Sequence, residues 1–217
     1  MHTLPLQELN VAQAKLRVID LDAALDFYTT LIGYQVLDRT HAKAILAPPG
    51  SDQPQLSLRA SASQPLPRRA SGLFHLAILL PTRAALGQLL QRVLQASYRL
   101  QGAADHGVSE AIYIADPAGN GLEIYIDRPR AAWPYKSEAL EMVTEALDVP
   151  NLLEESAGTQ PEASLPASTR LGHLHLQVSD LSQAEGFYAG LLGLEVTQRS
   201  YPGALFLAAG GYHHHIG

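Results

Sequence analysis

A segment that occurs twice in the chain constrains its fold more than any other feature of the sequence. Residues 13–40 align without gaps with residues 173–200. Each copy begins with alternating apolar residues, which is typical of a strand. Each then shows apolar residues three and four positions apart, which is typical of an amphipathic helix. Such a repeat predicts a fold assembled from similar supersecondary units. The shared residues include Leu16 and Leu176, Val18 and Val178, Phe27 and Phe187, Tyr28 and Tyr188, and Arg39 and Arg199.

Each copy predicts the same order of elements, which is a strand, a helix and three further strands. Asp20 and Asp180 fit the N-cap positions of the two helices, and Gly33 and Gly193 fit their C-terminal ends. Residues 72–129 show the same order with a longer helix, so we interpret them as a divergent copy. The strands predicted after the helices are residues 34–40, 44–48 and 55–59 in the first copy and residues 194–200, 204–208 and 212–216 in the last.

These βαβββ units divide the chain into three modules, residues 10–60, 72–129 and 171–217, with a linker at residues 130–170. The linker contains a Pro-, Ala- and Ser-rich stretch and a segment that favours a short helix. One module cannot bury both faces of its sheet, so we expect the modules to pair into curved mixed sheets in an α+β fold. Three modules leave one without a partner. We therefore expect that the last module is cut short and that a fourth is missing.

Composition excludes several classes of function. The net charge is −6, from 15 basic and 21 acidic residues, and no basic run exceeds two residues, so we expect no nucleic-acid partner. The sequence shows no apolar run of membrane-spanning length and no signal segment, which favours a cytoplasmic protein without a membrane partner. Cysteine is absent, so any metal site must use the nine histidines and the carboxylates.

The repeat resembles the vicinal oxygen chelate superfamily, which includes glyoxalases, bleomycin resistance proteins and extradiol ring-cleaving dioxygenases. The resemblance rests on the order of elements and on the stretches LDAALDFYTTLIG and LSQAEGFYAGLLG in the two copies. It implies that metal ligands come from the first and last strands of paired modules and face into a cup. The residues at these positions are Gln13, His75 and His173 in the first strands and Ser57, Glu123 and residues 213–215 in the last strands.

The stretch DHGVSEAIYIADPAGNGLEIY, residues 105–125, is similar to the signature of type I extradiol dioxygenases. In that signature a His is followed at set spacing by a Tyr, a turn and a ligand Glu. The resemblance implies that Glu123 binds the metal, and that His106 and Tyr113 bind the substrate and take part in catalysis. Taken alone, Glu123 fits a solvent-facing strand position equally well. Its spacing to His106 and Tyr113 favours the metal site.

The rest of the site depends on which modules pair. If the second module pairs with the third, the resemblance makes His75 and His173 the other metal ligands and His214 the catalytic acid or base. If the first module pairs with the second, Gln13 takes the place of His173. A neutral amide is a poor third ligand for Fe(II), so we favour the site formed by His75, Glu123 and His173.

The resemblance therefore predicts an extradiol dioxygenase that inserts O2 into a small aromatic diol of the catechol type. Two imidazoles and one carboxylate leave one face of an octahedral Fe(II) open for the diol and O2. Fe(II) is the expected metal, and Mn(II), Ni(II) and Zn(II) are the alternatives. Related proteins are often dimers or larger, so a homo-oligomer is expected.

Two other functions stay open on the sequence. A glyoxalase-type lyase is favoured by Gln13, because a Gln occupies that position in some glyoxalases. Ser57 argues against it, because this residue occupies the last-strand position where such a lyase needs a carboxylate as its fourth metal ligand. The other alternative is a metal-free binding protein of the bleomycin-resistance kind. In that case the grouping of His75, His106, Tyr113 and Glu123 is a coincidence.

Overall fold

The computed structural model confirms the α+β fold class, with helices packed on mixed sheets. It describes residues 9–65, 67, 70–137, 139–157 and 164–217. The remaining residues, which include part of the predicted linker, lie outside this description. No helix among the described residues is long and apolar enough to cross a membrane.

The first module forms a four-stranded sheet in the order β1-β4-β3-β2, in which β1 runs parallel to β4. Its helix α1 begins after Asp20, whose carboxylate accepts hydrogen bonds from the backbone N–H groups of Asp22 and Ala23. A π-helical turn continues α1 and ends at Gly33, whose φ of 100° is left-handed. Both predicted caps are thus confirmed. The elements are β1 (Ala14–Val18), α1 (Leu21–Asp26), the π-helical turn (Phe27–Ile32), β2 (Gln35–Arg39), β3 (Lys43–Ala47) and β4 (Leu56–Ala60).

The second module repeats this order and forms the centre of a six-stranded sheet, β11-β6-β7-β8-β5-β12. Its first strand runs parallel to its last, as in the first module. Thr82 caps the long helix through its hydroxyl oxygen, which accepts a hydrogen bond from the Ala85 N–H. The elements are β5 (Gly72–Leu79), α2 (Arg83–Gln95), β6 (Gly102–Asp105), β7 (Ser109–Ala115) and β8 (Gly121–Asp127).

The third module joins the second through its first strand, because β12 pairs antiparallel with β5. The second and third modules therefore share one sheet. The prediction of a regular strand over residues 212–216 is wrong, since only Ile216 bridges β14 and β12. Two left-handed glycines, Gly210 and Gly211, turn the chain just before it, and residues 215–217 then bond alternately to the two strands. The elements are β12 (Arg170–Gln177), α4 (Leu181–Glu185), a π-helical turn (Gly186–Leu191), β13 (Glu195–Gln198) and β14 (Phe206–Ala208).

The linker carries a short helix, but this helix starts where the segment favoured by the sequence ends. Asp148 caps it and Pro150 lies in its first turn. The preceding residues form short strands instead, one of which extends the six-stranded sheet next to β6. The elements are a 3-10 turn (Arg130–Ala132), β9 (Tyr135–Lys136), β10 (Ala139–Leu140), β11 (Glu145–Ala146) and α3 (Val149–Glu155).

The main core lies between the helices of the first two modules. Phe27, Tyr28 and Leu31 of the first module are buried there against α2. The equivalent helix of the third module contains no buried residue, and its Phe187 and Leu191 are 47% and 72% exposed. The same helix sequence pattern is therefore buried in the first module and exposed in the third, because α2 covers only the first copy.

Asp116 connects the two halves of this core. It is buried, and its carboxylate accepts hydrogen bonds from the Tyr28 hydroxyl at 3.1 Å and from the side chain and N–H of Asn120.

We expect Asp116→Ala to lower the free energy of unfolding by about 3 kcal/mol, because several buried donors lose a charged acceptor. Urea denaturation measures this change. Asp52→Ala is the matched control, because Asp52 is exposed and bonds only to its neighbour Gln53; an equal loss in both variants would contradict the prediction.

Candidate metal centre

Three neighbouring strands bring the predicted ligands together on one face of the six-stranded sheet. Glu123 of β8 lies opposite Ala77 of β5, two residues beyond His75, so the Glu123 and His75 side chains share a face. On the other side of β5, His175 of β12 lies opposite His75. His173 is two residues earlier in the same strand. The site therefore depends on the pairing of the second and third modules.

The Glu123 carboxylate lies between two imidazoles. Its Oε2 atom is 2.8 Å from Nε2 of His75 and 3.1 Å from Nε2 of His173. All three residues are at most 5% exposed. Among the described residues, His75 Nε2 and His173 Nδ1 have no partner in hydrogen-bond geometry, although both atoms are buried. Such unpartnered nitrogens are costly in a core unless something binds them.

The electrostatics favour the protonation states that bind a metal. Burial raises the pKa of Glu123, but the attraction and hydrogen bond of His173 and the close contact of His75 outweigh it, so the pKa lies well below its usual range. Burial lowers the pKa of His173 to about 4, against the opposing attraction of Glu123. A charged carboxylate and a neutral imidazole are the forms in which these groups coordinate metals.

The donor set fits a divalent ion. Two buried imidazoles and one buried carboxylate supply nitrogen and oxygen ligands only, which suits Fe(II), Mn(II), Ni(II) or Zn(II). His175 is a fourth candidate donor that sequence reasoning missed. One ring nitrogen each of His75, His173 and His175 lie within 4.8 Å of one another. The signal in the sequence was the alternation HLHLQ, which puts residues 173 and 175 on one face of a strand.

A cavity of about 840 Å³ opens above these residues. His75, Glu123 and His175 reach its wall, whereas His173 lies beneath it. Its other residues are largely apolar, and none of the described lining residues is a Lys or Arg. Apolar and aromatic members of the wall are Phe74, Met142, Val143, Leu176, Val178, Leu181, Tyr201, Leu205 and Phe206.

His106 and Tyr113 also line the cavity and bind each other. His106 Nε2 is 2.7 Å from the Tyr113 hydroxyl, and His106 Nδ1 is 2.7 Å from the carbonyl oxygen of Val143. A carbonyl only accepts, so Nδ1 carries a proton and donates it. In a neutral His106 the Nε2 atom then accepts from the hydroxyl of Tyr113. Burial, followed by the charge of Glu123, raises the pKa of Tyr113, so its phenol keeps its proton.

Only the middle residue of the three consecutive histidines faces the cavity. His214 lines it, and its Nε2 lies 3.2 Å from Nε2 of His175. His213 points to Asp127, at 2.8 Å, and His215 lines a second cavity of about 500 Å³. Burial, followed by repulsion from neighbouring imidazoles, keeps the pKa of His214 well below its usual range.

The alternative ligand Gln13 is not at this site. It is exposed, precedes β1 and does not line the cavity. Its module forms a separate sheet, because β12 and β8 occupy the two edges of β5. Ser57 is buried in that separate sheet. The pairing that would make Gln13 a ligand is therefore not formed.

Comparison with known proteins gives close relatives. Residues 10–124 match the profile of the Glyoxalase/Bleomycin resistance protein/Dioxygenase superfamily. The chain is 44% identical over 215 residues to the protein named catechol-2,3-dioxygenase from Bacillus subtilis, covering 97% of this chain and 74% of that protein. It is 30% identical over 120 residues to an uncharacterized protein of Pseudomonas aeruginosa, covering 52% of this chain and 86% of that protein.

A solved structure shares the fold. The cppA protein from Streptococcus pneumoniae superposes with a TM-score of 0.51 over 76% of this chain and 61% of that chain. The identity is 13%, so this likeness concerns the fold alone.

Removal of a predicted ligand should remove the metal. We expect His75→Ala and Glu123→Gln to weaken Fe(II) binding by more than the roughly 10- to 100-fold that loss of an outer-shell partner costs. Anaerobic dialysis against Fe(II) followed by elemental analysis measures the retained iron. His41→Ala is the control, because His41 is exposed and does not line the cavity. Equal iron in all variants, with unchanged circular dichroism, would contradict the assignment.

Proposed function

Because the chain belongs to the glyoxalase/bleomycin resistance protein/dioxygenase superfamily, we propose that it is an extradiol ring-cleaving dioxygenase acting on a catechol-type diol with O2. The observation that carries this proposal is the meeting of His75, Glu123 and His173 under one cavity. The 44% identity to a protein named catechol-2,3-dioxygenase supports it.

His75, Glu123 and His173 would hold the metal, for which we propose Fe(II). When bound, such an ion supplies a Lewis acid with open positions and the redox chemistry that the reaction of a diol with O2 requires. The charged Glu123 and the neutral His173 already have the protonation states that this role requires. Manganese, nickel and zinc stay as alternatives that a metal titration distinguishes.

The pair of His106 and Tyr113 would orient the substrate. Since the Tyr113 hydroxyl donates its proton to His106 Nε2, the lone pairs of its oxygen are free to accept a hydrogen bond from a substrate hydroxyl. The hydrogen bond from His106 to Val143 fixes the ring that holds Tyr113. This arrangement selects one orientation of the diol and costs no reorganisation on binding.

His214 would exchange a proton with the substrate. It lines the same cavity as His106 and Tyr113, and its Nε2 atom lies beside His175. General acid–base assistance by such a group typically contributes about 10²- to 10⁴-fold to a rate.

The cavity wall favours a small, uncharged aromatic diol. Phe74, Tyr201 and Phe206 offer aromatic surface, and Val178 and Leu181 add apolar surface at the same cavity. Burying an aromatic ring against such a wall is favourable and excludes water from the reacting atoms. A carboxylated diol would find no Lys or Arg among the described lining residues.

The lyase alternative lacks support at the site, because Gln13, the residue that favours it, belongs to the first module and does not line the cavity. A metal-free binding protein would leave the grouping of His75, Glu123 and His173 without a role. The expected cytoplasmic location stays a prediction. So does the expected homo-oligomer, which exposed apolar residues such as Phe187 and Leu191 favour.

Ring cleavage gives the direct test. The protein is reconstituted with Fe(II) without oxygen, mixed with catechol and then exposed to air. We expect a yellow ring-opened product whose formation consumes O2, because cleavage beside a hydroxyl gives a conjugated product. Absence of product together with failure to retain iron would refute the function, and turnover of a methylglyoxal–thiol adduct with nickel or zinc would establish the lyase.

Tyr113→Phe tests the anchoring pair. We expect kcat/KM for catechol to fall by about 10- to 100-fold, because one oriented hydrogen bond to the substrate is lost while iron binding persists. Steady-state oxygen uptake measures the change. Tyr135→Phe is the matched control, since Tyr135 is 59% exposed and does not line the cavity. Unchanged kinetics in Tyr113→Phe would show that Tyr113 does not touch the substrate.

A further inference from the structure

A row of three polar side chains connects the second cavity with the main one. The row starts at Asp127, which lines the second cavity at the end of β8. His213 Nε2 is 2.8 Å from Asp127 Oδ1, and His213 Nδ1 is 2.7 Å from Nδ1 of His214. Nε2 of His214 then lies at the main cavity, 3.2 Å from His175.

The chemistry of these groups sets the direction of each hydrogen bond. A carboxylate only accepts, so His213 donates its Nε2 proton to Asp127. The Nδ1 atom of a neutral His213 is then a lone pair and accepts a proton from Nδ1 of His214. With its proton on Nδ1, a neutral His214 has an acceptor lone pair on Nε2 at the main cavity, within hydrogen-bond distance of His175 Nε2.

The surroundings hold this row in place. His213 is fully buried, and its ring packs 4.0 Å from that of Tyr212 and 5.3 Å from that of Trp133. The Tyr212 hydroxyl donates to Asp127 at 2.9 Å, so the carboxylate is fixed from two sides. Thr197 donates to the backbone carbonyl of His213 at 2.6 Å. These contacts restrict rotation of the Asp127 and His213 side chains.

We propose that Asp127 and His213 are positioning residues that fix the ring orientation and the tautomer of His214, so that its Nε2 lone pair faces the substrate. Neither residue lines the main cavity, so both act through His214. For a neutral His213, the hydrogen bonds determine this tautomer. Its consequence for turnover rests on the proposed function.

Asp127→Asn is the first variant to test. An Asn side chain can accept through its oxygen or donate through its nitrogen, so the direction of the row is no longer set. We expect kcat for catechol cleavage to fall by about 10- to 100-fold, with KM and iron content within about twofold of the unaltered protein. His213→Phe, which keeps a ring but no hydrogen bond, should give a similar fall.

Tyr212→Phe is the matched control. It removes the other hydrogen bond to Asp127 and leaves the bond between Asp127 and His213 intact. We expect its kcat to stay within about threefold. A fall as large as that of Asp127→Asn would mean that the loss of any hydrogen bond to Asp127, and not of its bond to His213, explains the effect, and would overturn the proposal.

Nitrogen NMR of ¹⁵N-histidine-labelled protein tests the tautomer without catalysis. In chelator-treated and in Zn(II)-loaded protein, we expect His214 to carry its proton on Nδ1, and Asp127→Asn to show both tautomers. A proton on Nε2 of His214 in the unaltered protein would overturn the proposal. Failure of the unaltered protein to cleave catechol, with the Nδ1 tautomer present, would instead count against the proposed function alone. If catechol is cleaved but Asp127→Asn keeps its kcat, the positioning role is refuted.

Discussion

The pairing of β5 with β12 is the interaction on which the candidate site depends. It places the first strands of the second and third modules side by side, with His75 opposite His175. Glu123 reaches the same face from β8 on the other edge of β5. Strand pairing at a fixed register is a precise way to bring side chains from distant parts of the chain together. A shift of one residue would turn either histidine to the opposite face.

This arrangement carries an energetic cost that a bound ligand would help to offset. The buried Glu123 carboxylate is paired with His75 and His173, but the buried Nδ1 atom of His173 has no hydrogen-bond partner among the described residues. The rest of the fold must hold these groups in place, and the large core between the first two modules provides that stability. A bound divalent ion would satisfy the carboxylate and both histidines at once, so binding and stability are coupled.

Two sets of hydrogen bonds lie around the cavity above the candidate metal centre. In the first set, the carbonyl group of Val143 orients His106, which orients Tyr113. In the second set, the carboxylate of Asp127 orients His213, which orients His214. Each set starts at a group that only accepts and ends at a side chain that lines the cavity. The protein thereby fixes the direction of its hydrogen bonds before a diol binds, which is how an active site avoids reorganisation during the reaction.

The sequence by itself determined the local units and the motif. Period-two and period-3.6 patterns with their Asp and Gly caps predicted the modules. The resemblance of residues 105–125 to the signature of type I extradiol dioxygenases implied His106, Tyr113 and Glu123 as one half of the site. Tertiary structure alone decided that β12, and not a strand of the first module, pairs with β5. This pairing excludes Gln13 from the set of candidate metal ligands and brings His175 into it. It also replaced the predicted strand over residues 212–216 with a segment that presents His213 to Asp127 and His214 to the cavity. The physical reason is that side-chain alternation fixes which face of a strand a residue occupies, whereas the choice of neighbouring strand depends on contacts between residues far apart in the chain.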